Sequence, residues 1–477
     1  MQFNSFEFII LFLPLTFVGY FLLNRSSFTL GKLFLILAGI FFYTYAGFAS
    51  LPVLLAGLVI NYAAACAMVR KERYARLILT ADILCNIALL FYFKYFTFTL
   101  SLINPFLRSP LETGSILLPL GISFYTFQQI DYAVNVYRKG KNESLTDYLL
   151  YILYFPKLIM GPITEPDYLI PQFSDESRKH IKAENIACGI KIFSLGLFKK
   201  MILADTFAAA IGWCLSNPGD ATAADLILGT LAYTFEIYFD FSAYSDMAVG
   251  ISMMLNIDLP INFDSPYKAL SIRDFWKRWH ISLTGFLTRN VYIPLGGSRR
   301  GTRRTYINVL LVFLVSGIWH GANFTFLLWG LLHGLLCVFD RLFEKAESRV
   351  HPVVRWFAAF LCVNFLWLLF RVDSVSQWID IINRILHFEN MAVSEGLLSC
   401  FAIQEMSLLI PLLHLSSING VEALFFYAAA FLLCLVPENN YRRKDSLSPA
   451  SAVLAAAALF IGFIHVGGES VFVYFNF

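Results

Sequence analysis

Residues 306–323 read YINVLLVFLVSGIWHGAN, an apolar run that ends near His320. A basic loop, 298–304, comes before this run, and a second apolar run, 324–340, follows it. Basic loops beside long apolar runs are typical of membrane helices that begin at the cytoplasmic surface. A full crossing needs about 20 residues, so the first run predicts a helix that is tilted, broken or re-entrant.

The composition of the whole chain agrees with a membrane location. Hydrophobic residues make up 58% of the 477 residues and charged residues 14%, against roughly 45–50% and about 25% in soluble domains. A water-soluble protein this apolar would expose too much apolar surface to stay in solution. We predict an all-α, polytopic membrane protein with about eleven transmembrane helices plus re-entrant segments, forming one domain over residues 1–477.

Apolar runs of roughly spanning length recur along the chain, at 8–23, 29–48, 51–69, 77–98, 116–137, 185–205, 223–252, 306–320, 324–340, 353–370, 422–437 and 451–466. The basic loops predicted to be cytoplasmic are 70–76, 138–141, 298–304 and 441–444. The first run has no basic residue before it and Arg25 after it, the reverse of a cleavable signal peptide. We therefore expect a retained first helix with the N-terminus outside.

Several function classes lack their sequence signals. The net charge of +3 comes from short clusters, whereas nucleic-acid binding needs a continuous basic face. The eight cysteines contain no Cys-x-x-Cys pair, so neither a zinc site nor a disulfide framework is indicated. No serine-nucleophile elbow, Walker A loop or His-Glu-x-x-His motif occurs. We predict no metal and no permanently bound cofactor.

Two stretches interrupt the pattern of membrane runs. Residues 147–172 contain FPKLIMGPI, whose two prolines and glycine would break a helix. Residues 271–297 place charged side chains beside Trp276 and Trp279. Such a segment cannot face lipid, so we expect an amphipathic or re-entrant element that lines a wet cavity.

Ionisable groups inside membrane segments are functional candidates because they are costly there. Three clusters qualify: the carboxylates Glu236, Asp240 and Asp246, then His280, then His320. The carboxylates are equally compatible with a structural role, as ion-pair partners of Lys199, Lys200 or Arg273.

His320 is the sharpest candidate among these groups. A helix rises ~1.5 Å per residue, which places His320 roughly 21 Å from the cytoplasmic edge of a hydrocarbon core about 30 Å thick. Ser316 and Asn323 fall near the same helix face and could fix the imidazole tautomer. A neutral imidazole could accept the proton of a hydroxyl that attacks a thioester, and could then protonate the thiolate. A bond between the imidazole and a carbonyl of a packed helix is the alternative.

The other histidines fit structural positions better. His333 is expected to pack between helices, and His465 to lie at the membrane interface. Four more are expected in or near loops: His180, His351, His387 and His414.

Six ordered motifs resemble the membrane-bound O-acyltransferase (MBOAT) family, in particular its AlgI-like bacterial branch of alginate and other exopolysaccharide O-acetyltransferases. They are LPLGISFYTF (118–127), FPKLIMGPI (155–163), YFDFSAYSDM (238–247), DFWKRWHISL (274–283), YIPLGG (292–297) and WHGAN (319–323). Phe370-Arg371 and the closing YFNF fit as well, although the branch more often ends in YFQF.

This resemblance implies a funnel-shaped fold, thin at its centre, in the bacterial cytoplasmic membrane. It implies that His320 is catalytic and that His280 is the family's second motif histidine. The implied donor is cytoplasmic acetyl-CoA, and the implied acceptor is an extracytoplasmic SGNH-type partner that then esterifies an exopolysaccharide. Residues that would line the channel and contact the donor are Trp276, Trp319, Asn323, Asp240 and Asp246.

Three alternatives stay open at this point. A DltB-like D-alanyl transferase for teichoic acid is the nearest within the family. A polysaccharide or proton-coupled transporter would use Glu236, Asp240 and Asp246 as its path. A scaffold that only anchors an extracytoplasmic acetylase would need none of these side chains.

Overall fold

A computed structural model describes the chain except for residues 112–113, 115, 348, 389, 403–418, 468–471 and 474–477. The protein is 77% helical, and no strand occurs among the described residues. This confirms the predicted all-α polytopic class. His414 and the closing YFNF lie outside the described residues.

The first five helices are apolar and expose many of their side chains. They are α1 (Leu13–Ser26), α2 (Phe28–Ala46), α3 (Leu51–Arg70), α4 (Ala75–Leu90) and α5 (Phe96–Ile103). Two π-helical segments, Glu7–Phe12 and Phe91–Tyr95, extend α1 and join α4 to α5. The helices α1 to α5 carry many exposed leucine and phenylalanine side chains, as expected of a surface that faces lipid.

The middle of the chain forms the interior. Its helices are α6 (Ile122–Lys139), α7 (Leu145–Leu153), α8 (Phe155–Leu158), α9 (Pro166–Leu169), α10 (Ala183–Phe198), α11 (Asp205–Ser216) and α12 (Ala223–Met254). The last of these has 32 residues, long enough at ~1.5 Å per residue to exceed the hydrocarbon core.

The last third of the chain carries the hairpin that holds His320. Its helices are α13 (Ile272–Arg278), α14 (Ile281–Leu287), α15 (Thr302–His320), α16 (Phe324–Glu347), α17 (Pro352–Trp367), α18 (Val375–His387), α19 (Glu395–Ser399), α20 (Asn419–Leu435) and α21 (Pro449–Ile464). Among the described helices, six continuous segments are long and apolar enough to cross a membrane, and Gly420–Leu435 and Pro449–Ile464 are shorter apolar helices.

Each predicted apolar run contains a helix, but one boundary was wrong. The run predicted at 116–137 becomes helical only at Ile122. Pro119 lies just before this helix, and Gly121 adopts the left-handed conformation, with φ +70°. That conformation suits glycine and ends regular helix geometry, so residues 116–121 form a loop against the site.

The segment predicted to break around residues 155–163 does so inside the protein. Helix α7 ends at Leu153, and α8 covers only Phe155–Leu158. Residues 150–164 are all buried. Irregular backbone at membrane depth is tolerated only when protein or a wet cavity covers it, which explains why this element lies within the core rather than at the lipid surface.

Candidate active site

The hairpin of α15 and α16 holds His320 at its tip. Its two helices approach closely at glycines: a Cβ atom on Gly317 would lie 2.4 Å from the carbonyl oxygen of Phe326. A Cβ atom on Gly330 would likewise lie 2.4 Å from the oxygen of Phe313. Small residues allow backbones to pack this tightly in membranes, so the glycines fix where the tip lies.

The end of α15 is held by side chains from the segment that joins α4 to α5. Lys94 Nζ donates to the carbonyl oxygens of Trp319 (2.7 Å) and His320 (2.8 Å) and to Ser123 Oγ (3.3 Å). The hydroxyl of Tyr95 donates to the oxygen of Ile318 at 2.6 Å. The last carbonyls of a helix lack intrahelical partners, and these contacts supply them.

A cavity of about 90 Å³ lies against His320. His320 is 4% exposed, and it is one of the residues that line this cavity. The other lining residues come from the α4–α5 segment, the loop before α6, the start of α6, the α8 region and the end of α15: Lys94, Leu118, Pro119, Leu120, Gly121, Ile122, Ser123, Phe124, Ile159 and Trp319.

Aromatic rings fix both Trp319 and the imidazole. Trp319 stacks on Phe127 with centroids 5.2 Å apart, and its Nε1 donates to Ser123 O at 3.1 Å. His320 meets the rings of Phe370 and Trp329 edge-on, at 4.9 and 5.3 Å. These contacts restrict the rotation of the imidazole, which suits a group that must meet a reacting atom in one orientation.

His280 lies close to the same site, beside Trp319. The ring of Trp319 is 4.8 Å from His320 and 6.2 Å from His280, centroid to centroid. His280 is 1% exposed and adopts the left-handed conformation between α13 and α14, with φ +46°. It is absent from the lining of the His320 cavity.

The hydrogen bonds around Asn262 define the tautomer of His280. Asn262 Oδ1 accepts from the backbone N–H of Ser282 (3.3 Å) and from Ser282 Oγ (2.8 Å). The same oxygen lies 3.1 Å from His280 Nδ1. Because an amide oxygen can only accept, Nδ1 carries the proton and Nε2 keeps its lone pair.

The segment predicted to line a wet cavity borders a groove of about 270 Å³. The groove follows one face of α15 from Tyr306 to Ser316 and carries the cations Arg273, Lys277 and Arg341. Residues four apart share a helix face, so His320 is the next residue on this face after Ser316. Trp276 also lines this groove.

Trp276 and His333 pack together between α13 and α16. Trp276 Nε1 donates to His333 Nδ1 at 3.2 Å, and His333 is fully buried. Because an indole N–H is only a donor, this His333 nitrogen is an acceptor. His333 therefore joins two helices, in agreement with its expected packing role.

Asn323 connects the hairpin tip to neighbouring backbone. Its Nδ2 donates to the oxygen of Asp373 at 2.9 Å, and its Oδ1 accepts from Thr325 N at 3.1 Å. The second bond covers an N–H group at the start of α16. Both bonds act on backbone, so Asn323 stabilises the tip.

The carboxylates of α12 form a different environment. Asp240 is 1% exposed and pairs with Lys200 at 2.7 Å, while Asp246 pairs with Lys199 at 2.7 Å. Glu236 is also buried, and its Oε2 has no hydrogen bond within the described part of the chain. None of the three lines the cavity beside His320.

Sequence reasoning missed two side chains that shape the site, Lys94 and Asn262. Lys94 lies inside the apolar run 77–98, so the rule that flagged His320 as an ionisable group in a membrane segment applies to it as well. Asn262 lies in a segment without regular secondary structure, and its proximity to His280 is a tertiary feature that spacing does not reveal.

Fold and site together define a polytopic membrane protein with a buried histidine at the edge of an internal cavity. Residues 138–373 match the family described as MBOAT, membrane-bound O-acyltransferase. The chain is 34% identical to a peptidoglycan O-acetyltransferase of Helicobacter pylori, over 100% of this chain and 98% of the relative. It is 38% identical to a probable alginate O-acetylase of Pseudomonas aeruginosa, over 79% of this chain and 73% of the relative.

A further relative is a teichoic acid D-alanyltransferase of Bacillus subtilis, 27% identical over 54% of this chain and 69% of the relative. The protein belongs to the membrane-bound O-acyltransferase family, and it is a multi-pass membrane O-acyltransferase. This confirms the family resemblance of the six sequence motifs.

Proposed function

We propose that this protein transfers an acetyl group from cytoplasmic acetyl-CoA to an acceptor on the outer side of the cytoplasmic membrane, with His320 as general base. The observation that carries the proposal is the position of His320, whose imidazole is buried at the hairpin tip and borders a cavity. A base must reach the reacting hydroxyl within hydrogen-bond distance, and only a group at a cavity wall can do so.

The proposed step conserves atoms and protons. His320 accepts the hydroxyl proton of the acceptor while the hydroxyl oxygen attacks the thioester carbonyl. The new C–O bond forms and the C–S bond breaks, and the imidazolium returns its proton to the departing thiolate. His280 has a milder role, in positioning the donor or stabilising the developing oxyanion.

The groove along α15 supports entry of the donor from the cytoplasmic side. Three cations border it, Arg273, Lys277 and Arg341, and coenzyme A is a phosphate-bearing molecule that such side chains recognise. The buried end of the groove at Ser316 is one helical turn from His320. A thioester arm laid along this face would point its carbonyl towards the imidazole.

The positions of the basic loops 70–76, 138–141, 298–304 and 441–444 support a cytoplasmic side that carries all four, with the N-terminus outside. Asn142, just after the basic loop 138–141, contacts Cys66 near the basic end of α3, and Arg138 contacts the oxygen of Arg289. Arg442 in the loop 441–444 pairs with Asp264 at 2.7 Å. Cytoplasmic loops are enriched in basic residues, and these contacts hold the loops 138–141 and 441–444 against neighbouring segments of the chain.

The relatives indicate what the acceptor is. Their names specify peptidoglycan and alginate, so we propose a polysaccharide hydroxyl as the final acceptor. The sequence lacks a serine-nucleophile elbow of its own, which is compatible with an extracytoplasmic SGNH-type partner that receives the acetyl group first.

The test uses inside-out membrane vesicles from the native cell, because these retain any partner and acceptor. Labelled acetyl-CoA is supplied to the exposed cytoplasmic face, and label released by mild base reports acetyl ester formation. His320→Ala should remain in the membrane at normal level and lose transfer by about 10³-fold, within the range for loss of a general base.

A second variant distinguishes acyl transfer by this protein from the two alternatives, a transporter and a scaffold. Asp246→Asn keeps the shape of a side chain that does not border the His320 cavity and should retain transfer. Normal ester formation in His320→Ala would refute the proposal. Loss of activity in Asp246→Asn, with His320→Ala tolerated, would favour a transporter, and full activity in both would favour a scaffold.

A further inference from the structure

Lys94 is a lysine inside an apolar membrane segment, Glu72–Phe106. Charged side chains in membrane segments normally face the protein interior and pair with carboxylates or backbone carbonyls. The π-helical segment Phe91–Tyr95 carries Lys94, and single π-helical turns occur frequently at functional sites. The ammonium contacts Ser123 Oγ and the oxygens of Trp319 and His320.

Those carbonyls belong to the C-terminal end of α15. A helix carries roughly half a negative charge at this end, located on the carbonyls without intrahelical partners. Lys94 satisfies two of these carbonyls, and Tyr95 satisfies that of Ile318. The two contacts differ in kind, because Lys94 supplies an amine that is a cation when protonated, whereas Tyr95 supplies only a hydrogen bond.

The charge at this helix end matters because Lys94 and His320 line the same cavity. When a hydroxyl attacks a thioester, negative charge develops on the carbonyl oxygen. The negative end of α15 would oppose this charge, and it would do so strongly in a site with little water. A full positive charge at the helix end reverses the sign of the local field.

We propose that Lys94 is a positioning residue for acyl transfer, which fixes the backbone of His320 and makes the end of α15 electrostatically favourable to the transition state. This inference rests on the proposed function, which places the chemistry at His320. An ammonium has three N–H donors, and the three contacts of Lys94 occupy all of them. Lys94 therefore acts through the helix end and through its charge, without donating a hydrogen bond to the substrate.

The test compares three substitutions in the vesicle assay, with acetyl-CoA varied to separate maximal rate from KM. Lys94→Arg keeps the charge, Lys94→Gln keeps hydrogen-bond donors without charge, and Lys94→Met removes both. We expect Gln and Met to lower the maximal rate by on the order of 10²-fold, as loss of electrostatic stabilisation does elsewhere. KM for acetyl-CoA should be unchanged, and Arg should stay within about tenfold of wild type.

Tyr95→Phe is the matched control, because it removes a hydrogen bond to the same helix end without changing charge. It should lower the maximal rate by no more than a few-fold, the scale of one hydrogen bond. Thermal unfolding in detergent, measured for every variant, identifies any that is merely misfolded, and Lys94→Gln provides a second test if Lys94→Met does not fold.

The outcomes separate this inference from the proposed function. Wild-type rates in Lys94→Gln, or equal losses in Tyr95→Phe and Lys94→Met, would overturn the role of charge. An inactive His320→Ala together with an active Lys94→Met would overturn only the inference about Lys94. An active His320→Ala would overturn the proposed function itself.

Discussion

The end of α15 and the middle of α12 both bury ionisable side chains at membrane depth, but they use them differently. On α12, Asp240 is closed into an ion pair with Lys200, which also pairs with Asp205 at 2.8 Å. At the end of α15, Lys94 from the α4–α5 segment is paired with backbone carbonyls, and the neighbouring His320 lines a cavity. In the first cluster the charged side chains pair with one another, whereas in the second His320 lines a cavity.

The comparison shows that burial of a charge is a poor guide to function by itself. Both clusters satisfy the rule that an ionisable group in a membrane segment is a functional candidate. What separates them is that the cavity beside His320 is lined by His320 and Lys94 and by none of the α12 carboxylates. Asp240 also accepts the backbone N–H of Val473, so the α12 cluster joins distant parts of the chain and reads as a structural element.

The largest expected effect tests the α12 cluster. Lys200→Met leaves Asp240 buried without its main partner, and loss of one member of a buried ion pair destabilises proteins by about 3–5 kcal/mol. We expect a large decrease in thermal stability in detergent, together with reduced protein level. The transfer rate per folded molecule should stay close to wild type, because the cluster lies apart from the His320 cavity.

The double variant Lys200→Met/Asp240→Leu is the control for this prediction. It removes both charges, so it should recover most of the lost stability. A double variant that folds well but has lost transfer would show that the α12 charges take part in the reaction. In that case the contrast between the two clusters would be wrong.

A smaller effect is expected from the close helix contact that positions His320. Gly317→Ala places a Cβ atom where the carbonyl of Phe326 lies, so α15 and α16 must separate. A displacement of about 1 Å at a catalytic group can lower a rate about 10²-fold. We expect that loss in the vesicle assay, with the protein still present in the membrane.

Gly334→Ala is the matched control on the same hairpin. A Cβ atom there would lie 3.1 Å from Leu310 Cδ2 and 3.2 Å from Phe313 Cβ, a much smaller overlap than the 2.4 Å contact at Gly317. It should retain nearly full activity. Equal losses in Gly317→Ala and Gly334→Ala would mean that the hairpin contact has no special role in placing the tip.

Much of the fold could be predicted from the sequence, because an apolar run indicates a helix and a basic loop indicates a cytoplasmic helix end from neighbouring residues alone. The run that ends at His320 does form a helix that stops at that residue. The start of α6 was missed because the residues before it are apolar, and apolarity alone does not show where Gly121 takes a left-handed conformation.

The sequence pointed to residues that the structure places at the cavity, but not to the contacts that they make there. His320 and Trp319 were identified from a motif, and the structure places both at the cavity. The expectation that Asn323 could fix the imidazole tautomer is not matched by its bonds, which go to Asp373 and Thr325. Which side chain a residue meets depends on how helices pack, and sequence spacing determines only which residues share one helix face.

The smallest expected effect concerns His280, whose orientation depends on Asn262. His280→Ala should lower the transfer rate about tenfold, which corresponds to about 1.4 kcal/mol, the scale of one hydrogen bond. Asn262→Ala should cause a similar loss, because without its oxygen the imidazole can adopt the other tautomer or rotate. Both rates are measured in the vesicle assay.

The double variant decides whether Asn262 acts through His280. If it does, the double variant loses no more activity than His280→Ala alone, whereas independent effects would multiply. Ser282→Ala removes another partner of Asn262 and leaves the bond to His280 in place, so it should keep nearly full activity. If the losses multiply, or if Ser282→Ala is as slow as Asn262→Ala, Asn262 acts on local folding. Either result would contradict the inference that Asn262 controls the tautomer of His280.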